Sequence, residues 1–291
     1  QMSVGAFVVM GAVHWYVSRK AGSAEADYVS DRVLVVIGAT LVLGMIASLF
    51  HLGDFLNAPR AINNFGQSWL SREIFTGVAF VIIGLVFVLL QWRKIGSSAL
   101  RSAVAIIAAI VGLVFVYFQS RVYMVPIQPA WNSLATPISF FTATMLLGVM
   151  AIGPALIVTY LLQKRSAPEG SETRFNLLRD TIRWIALASI VLLGIELIVI
   201  PVYLTQLATQ GPAALTTLGM FAEEFNLTFI LRLVLGFLGA GILALFIYRD
   251  ASVSGTKGLF IQLAFVAFVL VFIAEVMGRF LFYSTHVPVG L

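Results

Sequence analysis

Residues 73–92 read EIFTGVAFVIIGLVFVLLQW, a run of 20 residues in which Glu73 is the only charged side chain. A helix rises about 1.5 Å per residue, so about 20 apolar residues span the hydrocarbon core of a bilayer. Alternation at period two, which is typical of a transmembrane barrel, is absent. Runs of similar character recur at 1–17, 33–52, 73–92, 101–122, 137–163, 182–205, 226–248 and 259–283. The sequence therefore predicts an all-α integral membrane protein, a bundle of eight transmembrane helices that forms a single domain over residues 1–291.

The composition excludes a soluble protein. Of the 291 residues, 60% are hydrophobic and 11% are charged, and the mean hydropathy is +1.00. A soluble domain is usually about a quarter charged. The formal charge of +5 comes from basic residues in short clusters between apolar runs, a pattern that indicates membrane topology and predicts no nucleic-acid partner. The chain has no cysteine, so we expect no metal, iron–sulfur cluster or disulfide of its own.

The chain begins at Gln1, inside its first apolar run. We therefore expect that the first helix is truncated at its N-terminus. Pro137, Pro154 and Pro201 fall within or at the ends of later runs, where membrane helices tolerate proline.

The basic residues predict the orientation, because Lys and Arg concentrate in cytoplasmic loops. Thirteen of the 18 Lys and Arg residues, including every lysine, follow the odd-numbered runs: Arg19, Lys20, Arg32, Arg93, Lys94, Arg101, Lys164, Arg165, Arg174, Arg179, Arg183, Arg249 and Lys257. The other five are Arg60, Arg72, Arg121, Arg232 and Arg279. The odd-numbered loops are therefore predicted to be cytoplasmic, and both chain ends to face the outer side.

Ionisable residues within membrane spans are costly, and most of those in this chain fall in the predicted outer leaflet. Glu275 and Arg279 are spaced i, i+4 and could pair on one helix face. Arg232 could reach outwards or pair with Glu196, Glu223 or Glu224. His14, beside Trp15 and Tyr16 at the inner end of the first run, suits an interfacial belt. The residues that we consider structural or part of a proton path are Glu196, Arg232, Glu275 and Arg279.

A long polar segment joins the second and third runs, with His51 at one end and Glu73 at the other. Ser71 could cap the third helix. Oxidation of a quinol releases two protons, so a quinol site needs a base near each hydroxyl and an apolar slot for the ring. His51 and Glu73 suit the bases, and Leu56, Phe65 and Trp69 suit the slot.

Motifs spread over the chain resemble the membrane anchor subunits of bacterial DMSO reductases, the DmsC-type anchors. The likeness runs from the first helix to the C-terminus. The matching residues are His51-Leu52-Gly53, Ser68, Leu70-Ser71, Glu73-Ile74, Arg121-Val122-Tyr123, Pro129, Trp131, Ser133, Thr136-Pro137, Phe140-Phe141, Glu275, Gly278-Arg279, Phe282-Tyr283 and His286.

This resemblance implies a heterotrimer in the bacterial inner membrane, with partner subunits on the periplasmic side. The partners are a ferredoxin-like iron–sulfur subunit with 4Fe–4S clusters and a molybdopterin catalytic subunit. The anchor would bind and oxidise menaquinol, with His51 and Glu73 as the catalytic residues. The family carries an arginine six residues after the histidine, where this chain has Asn57. The further quinol-binding candidates are Arg60, Asn63, Ser68, Trp69, Arg121, Tyr123 and Trp131.

Three other interpretations are open on the sequence. A haem b anchor needs two axial histidines at similar depth that face one cavity. His14 and His51 are separated by nearly the membrane thickness, and His51 and His286, which could share a side, are both superficial, so we expect no haem. A small-molecule transporter typically has charged groups near the midplane and repeated halves. A purely structural anchor needs no quinol site.

The charge asymmetry makes a topological prediction. Reporter fusions after Lys94, Lys164 and Lys257 should report the cytoplasm, and one within residues 210–224 should report the outside, because basic loops are retained inside. The measurement is paired phosphatase and fluorescence reporter activity, and a reversed pattern would overturn the predicted placement of the site.

Overall fold

The computed structural model describes the backbone of residues 1–49, 64–166, 171–250 and 257–289. All regular structure within these ranges is helical, as the sequence predicted. The helices are α1 (Met2–Ala21), α2 (Ser23–Leu49), α3 (Trp69–Trp92), α4 (Ser98–Tyr123), α5 (Ala135–Ser166), α6 (Ser171–Leu207), α7 (Pro212–Ala222), α8 (Asn226–Gly236), α9 (Ala244–Asp250) and α10 (Lys257–Ser284), with a π-helical segment (Phe237–Leu243) between α8 and α9.

Seven helices among the described residues are long and apolar enough to cross a membrane: Ser23–Ile46, Trp69–Trp92, Ser98–Tyr123, Ala135–Gln163, Arg174–Leu207, Asn226–Arg249 and Ile261–Ser284. The protein is therefore a multi-pass membrane protein. α1 is a helix of 20 residues, but its apolar run is interrupted by His14 and ends at Arg19 and Lys20. It is not among the seven, so its crossing of the membrane remains a prediction.

The described chain forms two compact units, Gln1–Val122 and Tyr123–Leu291. In the first unit, α1 to α4 pack as an up-and-down bundle. Ser3 of α1 and Thr40 of α2 lie 3.1 Å apart through their hydroxyl oxygens, and the ring of Phe7 packs 6.0 Å from that of Phe80 on α3. A Cβ added at Gly112 of α4 would meet both Phe80 and Val4 at 3.0 Å. A glycine at this position therefore allows α1, α3 and α4 to approach closely.

The second unit is built around α5. Of the most apolar part of α5, 67% is buried, against 11–29% for the other candidate spans. α6 and α10 pack on α5. The consecutive helical segments α8, the π-helical segment and α9 pack against α6 and α10. Many large apolar side chains of the outer helices are exposed, as expected of surfaces that face lipid.

A short helix, α7, lies in the segment 206–225, which the sequence placed in a loop. Gly211 precedes it with φ 104°, a conformation that favours glycine, and Pro212 occupies the first turn. The buried residues Ala214, Thr217 and Phe221 recur at helical spacing, so one face of α7 is covered. Ala214 and Phe221 join a hydrophobic core with Ala130, Leu207 and Leu281.

Two predicted helix starts were wrong by about ten residues. The second run was predicted to start at residue 33, but α2 begins at Ser23; the sixth was predicted to start at 182, but α6 begins at Ser171. Both extensions are polar, so hydropathy could not detect them. Pro154 and Pro201 lie inside α5 and α6, as expected for membrane helices.

The π-helical segment packs closely against the backbone of α10. A Cβ at Gly239 would lie 2.8 Å from Val271 Cγ2 and 2.9 Å from the Ala267 carbonyl oxygen of α10. The second of these atoms belongs to the backbone and cannot move aside. Small residues at helix contacts are characteristic of membrane proteins.

Gly239→Ala should destabilise the protein by about 1–3 kcal/mol, because the new methyl group forces α10 away. The measurement is the thermal unfolding midpoint in detergent. Gly194→Ala in α6 is the matched control, since a Cβ there meets nothing within 4 Å. Equal stability of the two variants would contradict the close contact.

Candidate functional sites at the helix ends

The start of α3 forms a capped helix end in the first unit. The Ser68 hydroxyl accepts a hydrogen bond of 3.3 Å from the Ser71 backbone N–H, so Ser68 is the N-cap. The prediction that Ser71 caps this helix was therefore wrong. Ser71 is buried in the first turn, where its N–H is one of the donors that the cap satisfies.

Trp69 is the centre of an aromatic and cationic cluster, which we call the Trp69 cluster. The guanidinium carbons of Arg72 and Arg121 lie 4.3 Å and 4.9 Å from the indole centroid. The rings of Tyr117 and Phe118 lie 6.4 Å and 5.8 Å from it. Cation–π contacts of this kind contribute roughly 0.5–2 kcal/mol each. The predicted residues Trp69 and Arg121 are thus in direct contact.

A chain of interacting side chains runs from Glu73 across the same helix end. The Gln119 side chain of α4 interacts with the Glu73 carboxylate. Gln119 in turn accepts a bond of 2.8 Å from the Gln1 amide. Gln119 directly follows Tyr117 and Phe118 of the Trp69 cluster in the sequence. The Glu73 carboxylate and the Trp69 cluster therefore lie at the same end of the bundle.

Phe65, predicted to line an apolar slot, packs on Phe75 with ring centroids 5.0 Å apart. Arg72 holds this segment to α3, since Nε donates to the Phe65 carbonyl at 2.9 Å and Nη2 donates to the Gly66 carbonyl at 2.7 Å. His51, Arg60 and Asn63, and Leu56 of the predicted slot, lie outside the described residues. Their predicted roles therefore rest on the sequence.

Tyr123 and Trp131, also predicted to bind quinol, lie in the second unit. The indole of Trp131 stacks on Phe282 at 5.4 Å and on His286 at 4.7 Å, and its N–H donates to the Phe282 carbonyl at 2.8 Å. The hydroxyl oxygens of Tyr123 and Tyr283 lie 2.9 Å apart. These aromatic residues hold the segment between α4 and α5 against the end of α10.

Four ionisable side chains of the second unit form a partly buried cluster, which we call the Glu–Arg cluster: Glu196, Arg232, Glu275 and Arg279. Arg232 pairs with Glu196, whereas Glu223 and Glu224, its other predicted partners, are exposed. The Glu275 carboxyl group also interacts with Glu196 and Arg232. Arg279 interacts electrostatically with Glu275. The direct i, i+4 pairing of these two residues stays a prediction.

The Glu–Arg cluster lines a cavity of about 90 Å³, together with Thr136, Ser139 and Tyr203. A polar cavity of this size can hold water. Gly278 provides the space for Arg232, because a Cβ there would lie 2.6 Å from Nε. The guanidinium carbon of Arg279 lies 3.7 Å from the centroid of the Phe140 ring, which also packs on Tyr123 and Phe282.

Sequence reasoning missed Gln119 and the steric role of Gly278. An amide near the end of an otherwise apolar run was the available signal for Gln119, and it was not used. Nothing in the sequence places Gly278 beside Arg232, since the contact joins helices 46 residues apart in the chain. Within the ranges that the structure describes, no group of three or more His, Asp or Glu side chains is placed to hold a metal ion.

The helical bundle units and the polar clusters at their ends define a multi-pass membrane protein that carries buried polar sites. Residues 1–285 match the family described as the DMSO reductase anchor subunit (DmsC). The chain therefore belongs to the DMSO reductase anchor subunit family, as its motifs predicted. It is a membrane anchor subunit.

Three members of this family are similar to the protein along its whole length. The protein is 28% identical to the C subunit of anaerobic dimethyl sulfoxide reductase from Escherichia coli K12, over 100% of its own length and 93% of the relative. It is 26% identical to the corresponding C subunit from Haemophilus influenzae, over 100% and 92% of the two lengths. The YnfH subunit of anaerobic dimethyl sulfoxide reductase from Escherichia coli K12 is 27% identical, over 100% and 93%. No solved structure matches the protein.

Glu196→Leu should destabilise the protein by about 3–5 kcal/mol, because it leaves the Arg232 cation buried without its carboxylate. The double variant Glu196→Leu/Arg232→Met should lose less, since it removes both charges. Thermal unfolding in detergent measures both. A double variant at least as unstable as the single one would show that the pair is not held by its charges.

Proposed function

We propose that this anchor binds menaquinol at the end of the first unit marked by Glu73 and the Trp69 cluster, and oxidises it there. The observation that carries the proposal is the interaction of Glu73 with Gln119, which Gln1 holds by a hydrogen bond, beside the Trp69 cluster. A carboxylate held in one orientation at the end of an apolar bundle can accept a hydroxyl proton from a ring that lies among aromatic side chains.

Each side chain has a defined task in this proposal. Glu73 accepts a proton from one quinol hydroxyl, and Gln119 fixes the direction of the carboxylate. Trp69 provides a flat surface for the ring, while Arg72 and Arg121 hold the indole. His51, which the sequence places two residues after the end of α2, accepts the second proton. The quinol loses two electrons and two protons and leaves as the quinone.

The electrons pass to an iron–sulfur partner subunit with 4Fe–4S clusters, which feeds a molybdopterin catalytic subunit. This assignment is supported by membership of the anchor family and by the absence of cysteine from the chain, since the anchor has no thiolate to ligate a cluster. We further propose that α1 is the eighth span, that the protein lies in the bacterial inner membrane, and that the partners bind on the periplasmic side.

The test is quinol-dependent turnover of the assembled complex. Glu73→Gln should lower it by about a hundredfold or more, because the amide cannot accept the proton. His51→Ala should lower quinol-dependent turnover by a similar factor, because alanine cannot accept the second proton. The measurement is the rate with a menaquinol analogue, compared with the rate with a dye that reduces the iron–sulfur clusters directly, which should be retained.

Glu172→Gln is the matched control, since Glu172 is an exposed glutamate in the first turn of α6. It should leave both rates unchanged. Normal quinol turnover in both Glu73→Gln and His51→Ala would place the site elsewhere. Loss of the dye-dependent rate as well would show that the substitutions disturb assembly rather than proton transfer.

A further inference from the structure

The end of the first unit opposite the Trp69 cluster holds a second connected set of polar side chains, drawn from all four helices. His14 Nε2 on α1 lies 3.0 Å from Asp27 Oδ1 on α2. The Gln91 amide on α3 donates to Asp27 and Asp31 at 2.9 Å each, and Gln91 Oε1 accepts from Arg101 Nε on α4 at 3.0 Å. His14, which the sequence assigned to an interfacial belt, is therefore part of a defined network.

The charges of this network are balanced. Lys94 donates to Asp27 at 2.9 Å and to Asp31 at 3.1 Å. Burial lowers the pKa of the Lys94 ammonium, but its hydrogen bonds to the two carboxylates outweigh burial and raise the pKa above its ordinary value, so Lys94 stays charged. Lys94 and Arg101 thus offset Asp27 and Asp31. The network favours neither an anion nor a cation.

A cavity of about 460 Å³ opens beside this network. Its volume falls within the roughly 300–1,000 Å³ of typical small-molecule sites. His14, Asp27, Gln91 and Arg101 line its polar end. Towards the middle of the bundle the lining becomes apolar, with Phe7, Met10, Leu34, Phe87, Ile106 and Ala109.

The polar end offers both an acceptor and a donor. His14 Nε2 lies 3.0 Å from the acceptor oxygen of Asp27, and in the tautomer that donates this bond His14 Nδ1 has a lone pair that can accept from a hydroxyl. Arg101 uses Nε for Gln91 and Nη1 for the Gly96 carbonyl at 3.0 Å, and neither bond uses Nη2. A ligand with hydroxyl or carbonyl oxygens at its head therefore meets complementary groups.

We propose that this cavity is a second quinone site, which binds a neutral quinol or quinone ring at His14 and Arg101 and the first part of its isoprenoid tail among the apolar residues. The proposal concerns binding alone and stands apart from oxidation at Glu73, since the ligand class follows from the lining of the cavity. A phospholipid is the competing occupant. The negatively charged phosphate of a phospholipid would face the Asp27 carboxylate, and the nearby Lys94 cation is already paired with Asp27 and Asp31.

The experiment uses the assembled complex in nanodiscs made without quinone. The probe is an azido-naphthoquinone with a short prenyl tail, which is photoactivated and mapped by peptide mass spectrometry. Labels are expected in residues 7–34 or 98–109, and excess unlabelled menaquinone should prevent them. Added cardiolipin should not.

Gly11→Leu should block the cavity. Gly11 lines it, and a Cβ there meets nothing within 4 Å, so the leucine projects into open space without disturbing the helix contacts. Labelling of these peptides should fall about tenfold, which corresponds to about 1.4 kcal/mol of binding free energy. Gly84→Leu on α3 is the matched control, since its Cβ is equally unobstructed but lies outside the cavity lining. Arg101→Met should also reduce labelling, by removing the donor.

Three results would overturn the proposal: no label in residues 7–34 or 98–109, labelling that Gly11→Leu leaves unchanged, or displacement by cardiolipin, which would assign the cavity to a phospholipid. Failure of the proposed oxidation site has a different signature. In that case label would be missing from peptides covering residues 64–75, and Glu73→Gln would retain quinol turnover, whatever happens at the second cavity.

Discussion

The hydrocarbon core offers no water, so every polar group within it has to find its hydrogen-bond partner in the protein, and the rest of this structure depends on that constraint. The backbone meets it by forming helices. Hydroxyl groups meet it by donating to the carbonyl four residues earlier, as Thr144, Thr159 and Thr181 do at 2.7, 2.9 and 2.8 Å. Longer polar side chains need partners on other helices, and these requirements determine which helices lie side by side. Gln91, for instance, connects α3 to both α2 and α4.

The same constraint explains why the candidate sites lie where they do. Burial of a single charge is costly, whereas burial of a group that neutralises itself is tolerated. The Glu–Arg cluster contains two glutamates and two arginines, and the network around Asp27 contains two aspartates, a lysine and an arginine. Glu73 differs, because its partner on α4 is the neutral amide of Gln119. A carboxylate that interacts with an amide, rather than with a cation, keeps its ability to take up a proton, which suits the proposed base.

Hydropathy predicted the apolar parts of the helices well, and the polar parts poorly. The third and fourth runs, 73–92 and 101–122, match α3 and α4 to within four residues at each end. The first ten or so residues of α2 and α6 and the whole of α7 were missed, because polar or short helices leave no hydropathy signal. The π-helical segment depends on a hydrogen-bond register that composition does not encode. Of the site, Glu73, Trp69 and Arg121 were predicted and lie together, but Gln119 joins Glu73 across 46 residues of sequence, and a pairing at that distance cannot be found from one sequence.

The two proposed quinone sites lie at opposite ends of the first unit, and the distance between them implies different roles. Trp69 and Gln91 mark the two ends of α3, and at about 1.5 Å per residue they lie roughly 33 Å apart. In the proposed function, electrons leave at the Trp69 end, to a cluster of a partner subunit that docks there. A ring held at His14 would be too distant for direct transfer to such a cluster. Under the two proposals together, the cavity beside His14 serves storage or exchange of quinone, and oxidation with its released protons is assigned to the Trp69 end.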